Sequence, residues 1–310
     1  MSSIKCINGK YSFVNFINGI IDRLKCNGQY KSWQHYRSTL NSVLRFREGR
    51  DFSLRKLDAD MVRSYEAYLK GQGVCRNTSS FYMRILRAVY NRAVAMNLIV
   101  QRYPFGNVYT GIDTTRKRAI TFDEVRRIRE LDMGGSKSSE LARDTFVLCF
   151  YLRGISFVDL AHLKKSDIRD GFLHYNRSKT MQRLTVRWTK PMQRLVDKYS
   201  NLTANSPFLL PFLCESGCGH RSHHHVYHNA ESRIAYHLRR IGQRIGLDSH
   251  LTLYVARHSW ATAARDLNCP ISVISEALGH DSEATTQIYL RSIQSAKVDE
   301  INAEIMKKLE

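Results

Sequence analysis

The sequence predicts a mainly α protein of two domains, the second carrying a small antiparallel sheet. Three observations predict it. Apolar residues recur at 3.6-residue spacing through most of the chain, and one short stretch alternates instead. Positive charge is concentrated near the N-terminus: residues 1–110 contain 18 Lys+Arg and 6 Asp+Glu, whereas the remaining 200 contain 30 and 22. A step of that size argues for an N-terminal module with an electrostatic task of its own.

The elements follow in order. Behind Ser12, a good N-cap, Phe13, Phe16, Ile17, Ile20, Ile21 and Leu24 mark a first helix. Trp33, Tyr36, Leu40, Val43, Leu44 and Phe46 mark a second. A third runs from about Met61 to Lys70, capped by Asp58 or Asp60 and stopped at Gly71. A fourth begins near Asn77 and turns Phe81, Ile85, Leu86, Val89, Ala93 and Val94 inward. Its other side presents Arg76, Arg84, Arg87 and Arg92. We read residues 1–106 as a four-helix bundle with a basic, DNA-clamping side. Residues 107–118 show no apolar period and end in Arg116, Lys117 and Arg118, as a cationic linker would.

The second domain, 119–310, opens on a capping box, Thr121 to Glu124. An apolar helix follows from Leu141 to Tyr151, then a short one through Val158, Leu160 and Leu163. Asp170-Gly171 introduces the sheet. Leu184, Val186 and Trp188 alternate with polar residues, and residues 172–175 are the expected partner strand. Beyond Pro191 the helical period returns. Val298, Ile301, Ile305 and Leu309 form a narrow apolar stripe, which predicts a C-terminal docking helix over 295–309.

Composition excludes several classes of protein. Hydrophobic residues make up 43% of the 310 and no apolar run reaches the ~20 residues of a membrane span, so neither disorder nor a membrane protein is expected. Seven scattered cysteines do not form a disulfide framework, and a reduced cytoplasmic setting is expected. The net charge of +20 makes nucleic acid the leading partner. Cys214, Cys218 and His220, followed by further histidines, lie within metal-ligand spacing. Nothing pairs with them as a second half-site, so no metal is expected.

The chemistry sits between Leu251 and Leu290. Arg257-His258 is followed by Leu278-Gly279-His280, and Tyr289 stands nine residues after that histidine. With the flanking Ser-Trp-Ala-Thr and Thr-Thr, this order and spacing resembles the catalytic domain of tyrosine recombinases of the phage integrase family. The resemblance implies a SAM-like core-binding bundle followed by an α+β catalytic domain. It also implies strand cleavage through a 3′-phosphotyrosine on Tyr289 and strand exchange through a Holliday junction. Partners would be double-stranded DNA carrying specific recombination sites and three further copies of the chain, a homo-tetramer on two paired sites, with scope for accessory DNA-bending proteins. No cofactor is called for, and the working place would be the nucleoid. The chain starts almost directly with the helical module, so we expect the simple two-domain type. A DNA invertase is the first expectation; an integrase or excisionase of a mobile element, or a catalytically weakened DNA-binding relative, are the alternatives.

Physical logic assigns the roles. A phenol becomes the new ester partner, so bond energy is conserved. Fixed guanidinium groups suit the charge gathering on the non-bridging oxygens. Arg257 takes that role, His280 donates to the same phosphate, and His258 manages the tyrosine proton. By the resemblance, Lys179, in Arg177-Ser-Lys-Thr180, is the general acid for the leaving 5′-oxygen, and Asp159 braces the active-site arginines. Two positions depart from the family pattern. Tyr254 stands where a histidine is usual. Ser156 stands at the place of the first arginine, and we expect Arg153, one helical turn earlier, to bend in and replace it.

Overall fold

In the computed structural model, which describes residues 6–7, 10–113, 119–213, 223–290 and 306, the chain forms two units, Met1–Thr115 and Arg116–Glu310. The first begins with a two-residue antiparallel pair, β1 (Cys6–Ile7) and β2 (Lys10–Tyr11). Four helices follow: α1 (Phe13–Cys26), α2 (Tyr30–Phe46), α3 (Ala59–Gly71) and α4 (Arg76–Ala95). Ser12 caps α1 by accepting from the Asn15 amide, and Asp58 caps α3 by accepting from the Met61 amide. Helix α1 packs on α2, and α4 lies against both α2 and α3. Their shared core is built on Phe13, Ile17, Leu40, Leu57, Tyr65 and Met83.

Helix α4 buries Leu86, Val89 and Ala93 as expected, on a face that also takes in residues outside the expected set. Ser79, Ser80, Met83, Leu86, Val89, Tyr90 and Ala93 point inward, while Phe81 and Ile85 are only half-buried. Tyr90 is anchored through its hydroxyl to the Val100 carbonyl and the Arg102 amide. The segment expected as a linker also differs. Residues 107–113 fold back on the bundle. Val108 is buried, the Tyr109 amide donates to Glu66 at 3.0 Å, and Asn77 brackets Asp113 through both backbone groups. Arg116, Lys117 and Arg118 lie outside the described residues.

The second unit is organised around α6 (Lys137–Tyr151), which packs against α5 (Phe122–Glu130), α8 (Lys190–Asp197), α9 (His223–Arg244) and α10 (Leu253–Asp266). Its burial on nearly all sides explains its apolar run, with Phe146, Leu148 and Cys149 in the core. The Thr121–Glu124 capping box is present in both directions. Helix α7 (Phe157–His162) follows α6 and is capped by Ser156.

The sheet has three antiparallel strands in the order β3 (Ile168–Arg169), β4 (Phe172–Asn176), β5 (Arg183–Arg187). Asp170 and Gly171, both with positive φ, form the tight turn between β3 and β4. Leu173 pairs with Val186 and Tyr175 with Leu184. Strand β3 is too short to leave a periodic signal, whereas the β4–β5 pair follows the alternation in the sequence. Trp188 lies just beyond β5 and donates to Gln193. Helices α11 (Ile271–Leu278) and α12 (Glu283–Leu290) close the described part and pack on α10 and on each other. Apart from residue 306, the expected helix over 295–309 falls outside the described residues, as does the trio Cys214, Cys218 and His220. Among the described residues no helix is long and apolar enough to cross a membrane.

Candidate active site

Helix α10 is buried on all sides over Val255, Ala256, Arg257, His258 and Ser259. A buried guanidinium must be surrounded by acceptors. Arg257 donates from Nη1 to the Gly154 carbonyl at 2.9 Å and from Nη2 to the Leu278 carbonyl and to Nε2 of His280, the last at 3.0 Å. Leu278 ends α11 and Gly154 lies in the turn that follows α6, so carbonyls left unpaired at helix ends receive the charge. Three of the five N–H groups are engaged. Nε is buried without a partner among the described residues. Burial, and secondarily the neighbouring Arg177 charge, lowers the Arg257 pKa to about 10, which still leaves it charged at neutral pH.

The approach of Gly154 to Arg257 is unusually close. A Cβ on Gly154 would stand 2.4 Å from the Arg257 Cα, and its φ of +74° is one that side chains rarely adopt. Arg153 precedes it at φ +59°. This pair of left-handed residues turns the chain from α6 into α7. Arg153 is half-buried, and its positive charge reaches Tyr175 on β4.

His280 is held at both ring nitrogens. Arginine only donates, so Nε2 accepts from Arg257, and Nδ1 then carries the proton toward the Thr286 hydroxyl at 2.8 Å. Burial comes first, then the charges of Arg257, Arg177 and Lys179, in holding the His280 pKa near 4. The imidazole is therefore neutral at pH 7. The unfolded chain binds this proton near 6.5 and the folded chain only near 4, so the stability contributed by neutral His280 is complete above about 6.5 and lost as pH falls to 4. Urea unfolding between pH 7 and 4 should show this loss, and His280→Asn should flatten it.

The β4–β5 turn supplies two cations. Arg177 is buried and donates from Nη1 to the Gly279 carbonyl. Gly279, at φ +63°, closes α11 and leaves room for the aliphatic part of Arg177, since a Cβ there would lie 3.1 Å from the Arg177 Cδ. Lys179 is exposed in the same turn. Arg177 is absent from the expectations above, although a signal for it exists. Extending the β4 alternation places 173, 175 and 177 on one side of the strand, with Leu173 buried and Tyr175 half-buried. An arginine at the third of these positions must face inward. The charges of both Arg177 and Arg257 reach Tyr175 and Tyr254.

Ser156 caps α7 rather than facing a guanidinium. It accepts from the Asp159 amide and donates to the Asp159 carboxylate at 2.6 Å. The buried carboxylate of Asp159 also accepts from the Ser178 amide and hydroxyl. The expected bracing by Asp159 is thus directed, through hydrogen bonds, at the turn carrying Arg177 and Lys179. His258 is buried and meets the exposed Tyr254 edge-on, with ring centroids 4.5 Å apart. Tyr289 lies on α12, three residues after the buried Thr286.

In the first unit, Arg76 stacks over the Tyr109 ring at 3.8 Å and pairs with Asp113 at 3.3 Å. Arg87 donates to Thr110 at 3.2 Å. Arg92 is exposed and Arg84 half-buried. The basic side of α4 is thus partly organised by residues 109–113.

Two family models match the chain, the phage integrase SAM-like domain over residues 12–108 and the phage integrase family over 118–295. The tyrosine recombinase XerC of Leptospira interrogans is 22% identical over 297 residues, which cover 93% of this chain and 90% of that protein. Among solved structures, a lambda integrase fragment, residues 75–356, crystallised as a dimer bound to a COC′ core site, aligns with a TM-score of 0.67. Its sequence identity is 18%, over 90% of this chain and 95% of that one. A lambda integrase tetramer bound to a Holliday junction aligns at 0.64 with 15% identity, over 91% and 78%. These likenesses extend over both units.

Proposed function

The chain belongs to the phage integrase family of tyrosine recombinases, and on that premise we propose that it cleaves and rejoins DNA at specific sites through a 3′-phosphotyrosine on Tyr289. The observation that carries this reading is the convergence of Arg257, Arg177, His280 and Lys179 from α10, the β4–β5 turn and the end of α11. Tyr289 follows on α12.

The Tyr289 phenolic oxygen attacks phosphorus in line. The new P–O bond to tyrosine forms as the P–O5′ bond breaks. The phenol's proton, ordinarily lost near pH 10, passes to His258, with Tyr254 beside it at the position of the usual histidine. Lys179 gives a proton to the departing 5′-oxygen. Arg257 and a second guanidinium hold the non-bridging oxygens. We assign that second charge to Arg177, because its charge acts on both Arg257 and His280, and leave Arg153 a lesser contribution across the turn. His280 needs no added proton to donate. To donate, the neutral ring takes its other tautomer, with Nδ1 accepting from the Thr286 hydroxyl and Nε2–H turned to the phosphate in place of the bond it accepts from Arg257. The ester keeps the energy of the broken bond, so strand exchange requires no ATP; with arginines meeting the charge on the non-bridging oxygens, cleavage in EDTA should match cleavage in magnesium.

The helical unit, with Arg76, Arg84, Arg87 and Arg92 and the stretch Arg116, Lys117 and Arg118, grips the backbone of the duplex. Four copies on two paired sites exchange strands through a Holliday junction, and DNA inversion in the nucleoid is the outcome we favour. On a nicked substrate that lets the short product diffuse away, wild-type protein should accumulate a covalent adduct. Tyr289→Phe should bind the same site and form none. Equal adduct from both proteins would remove Tyr289 from the reaction.

A further inference from the structure

We propose that Ser156, Asp159 and Ser178 act as one positioning device that fixes Lys179 for proton transfer, so that the serine standing where the family has an arginine serves the general acid rather than the phosphate. This rests on the recombinase reading above. The carboxylate of Asp159 is 5% exposed, yet no cation pairs with it among the described residues. It accepts from three donors: Ser156 Oγ at 2.6 Å, the Ser178 amide at 2.8 Å and Ser178 Oγ at 2.5 Å. Both oxygens are used, one toward the start of α7 and one toward the β4–β5 turn. Hydrogen bonds to a carboxylate are about twice as strong as those between neutral groups, and a buried carboxylate deprived of its donors is costly. The three residues therefore tie α7 to residue 178, one peptide bond from Lys179.

The turn has reason to need such a tie. It runs from Arg177 to Gln182, and its internal hydrogen bonds fall back on Arg177 alone. The Arg177 carbonyl accepts from the Thr180 and Met181 amides, and the Arg177 amide donates to the Gln182 carbonyl. Lys179 at its tip is exposed on a flexible four-carbon stem. Buried Arg177 fixes the base of the turn and Ser178 fixes its approach to α7. Ser156 supports the carboxylate from the far side. An arginine at 156 would bring a charge to the site but would not reproduce the short hydroxyl bond to the carboxylate. The charge then comes from the turn itself, through Arg177.

Sulfur in place of the leaving 5′-oxygen isolates this role, because a thiol ionises near 8.5 and departs without a proton donor. Single-turnover cleavage would be measured for wild type, Lys179→Ala, Ser178→Ala, Ser156→Ala and Ser156→Thr on matched oxygen and sulfur substrates. Thermal melting of each protein would be recorded alongside. On oxygen, Ser178→Ala and Ser156→Ala should lose ~10-fold or more, up to the ~100-fold at the low end of a general acid's contribution. Ser156→Thr, which keeps the hydroxyl, should stay near wild type. On sulfur, the deficits of all three alanine variants should vanish. A serine deficit of equal size on both substrates, or no deficit on oxygen, overturns the device. If instead Lys179→Ala itself is not restored by sulfur, it is the assignment of the general acid that fails, and the two failures are thereby separated.

Discussion

Arg177→Ala should lower the rate of strand cleavage by ~10²–10³-fold, the loss typical when one donor to a transition-state oxyanion is removed, while site binding stays close to wild type. The expectation follows from burial and charge. Arg177 sits at the back of a turn, donates to the carbonyl at the end of α11, and lies near enough for its charge to depress the pKa values of both Arg257 and His280. A cation so placed has little contact with the rest of a duplex and large leverage on one phosphate. Arg153→Ala should cost less, since its charge is felt at Tyr175, behind those of Arg257 and Arg177, and not at Arg257 or His280. Replacing the scissile phosphate by a neutral methylphosphonate removes the charge that Arg177 is there to meet, and should restore Arg177→Ala relative to wild type. A reversed order, with Arg153→Ala the severe variant, would return the second charge to the α6–α7 turn.

The largest effect on stability should come from Gly154→Ala. The left-handed φ of +74° costs ~1–2 kcal/mol for a residue with a Cβ. The Cβ itself would lie 2.4 Å from the Arg257 Cα, on a helix backbone that cannot swing aside as a side chain would. Overpacking of this kind adds ~1–3 kcal/mol. Together the melting temperature should drop by roughly 5–15 °C, at ~2–4 °C per kcal/mol for a domain of this size. Activity should fall further than stability does. Moving α10 away from residue 154 withdraws the Gly154 carbonyl from Arg257, and a buried guanidinium that loses an acceptor shifts toward a new one. Melting scanned by circular dichroism and cleavage assayed well below the transition would separate the two effects.

Much of the architecture was legible because it obeys local rules. Ser12, Asp58 and Thr121 cap the helices they were expected to cap, and the alternation of Leu184 and Val186 sits on a real strand. The failures have identifiable causes. Residues 107–113 look like a linker because they lack an apolar period, yet they are held by polar contacts from Glu66, Asn77 and Ser80, which leave no periodic trace. On α4, Leu86, Val89 and Ala93 follow the apolar period, whereas Tyr90 is buried with its hydroxyl hydrogen-bonded, which the period does not mark. In the candidate site, Arg257, His280 and Tyr289 were legible from their order and spacing together with the family resemblance these carry. Arg177 was not, because family order drew attention to position 156 and because an arginine next to a turn normally reads as solvated. Its burial depends on the carbonyl of Gly279, which is 102 residues away in sequence. Only the register of β4 hinted at it. Likewise the family order marks Ser156 only as the place of an arginine, whereas its hydroxyl caps the start of α7.

The central claim is that a phosphodiester is transferred to one tyrosine, and the identity of that tyrosine can be read directly. Wild-type protein trapped on the nicked substrate would be digested with nuclease and trypsin, and the nucleotide-bearing peptide sequenced by mass spectrometry. Cleavage after Arg265 and Arg291 releases the peptide 266–291, which contains a single tyrosine, Tyr289. The account predicts that the phosphoryl group is found there. A phosphoryl group on Tyr254, Tyr175 or any other tyrosine would contradict it.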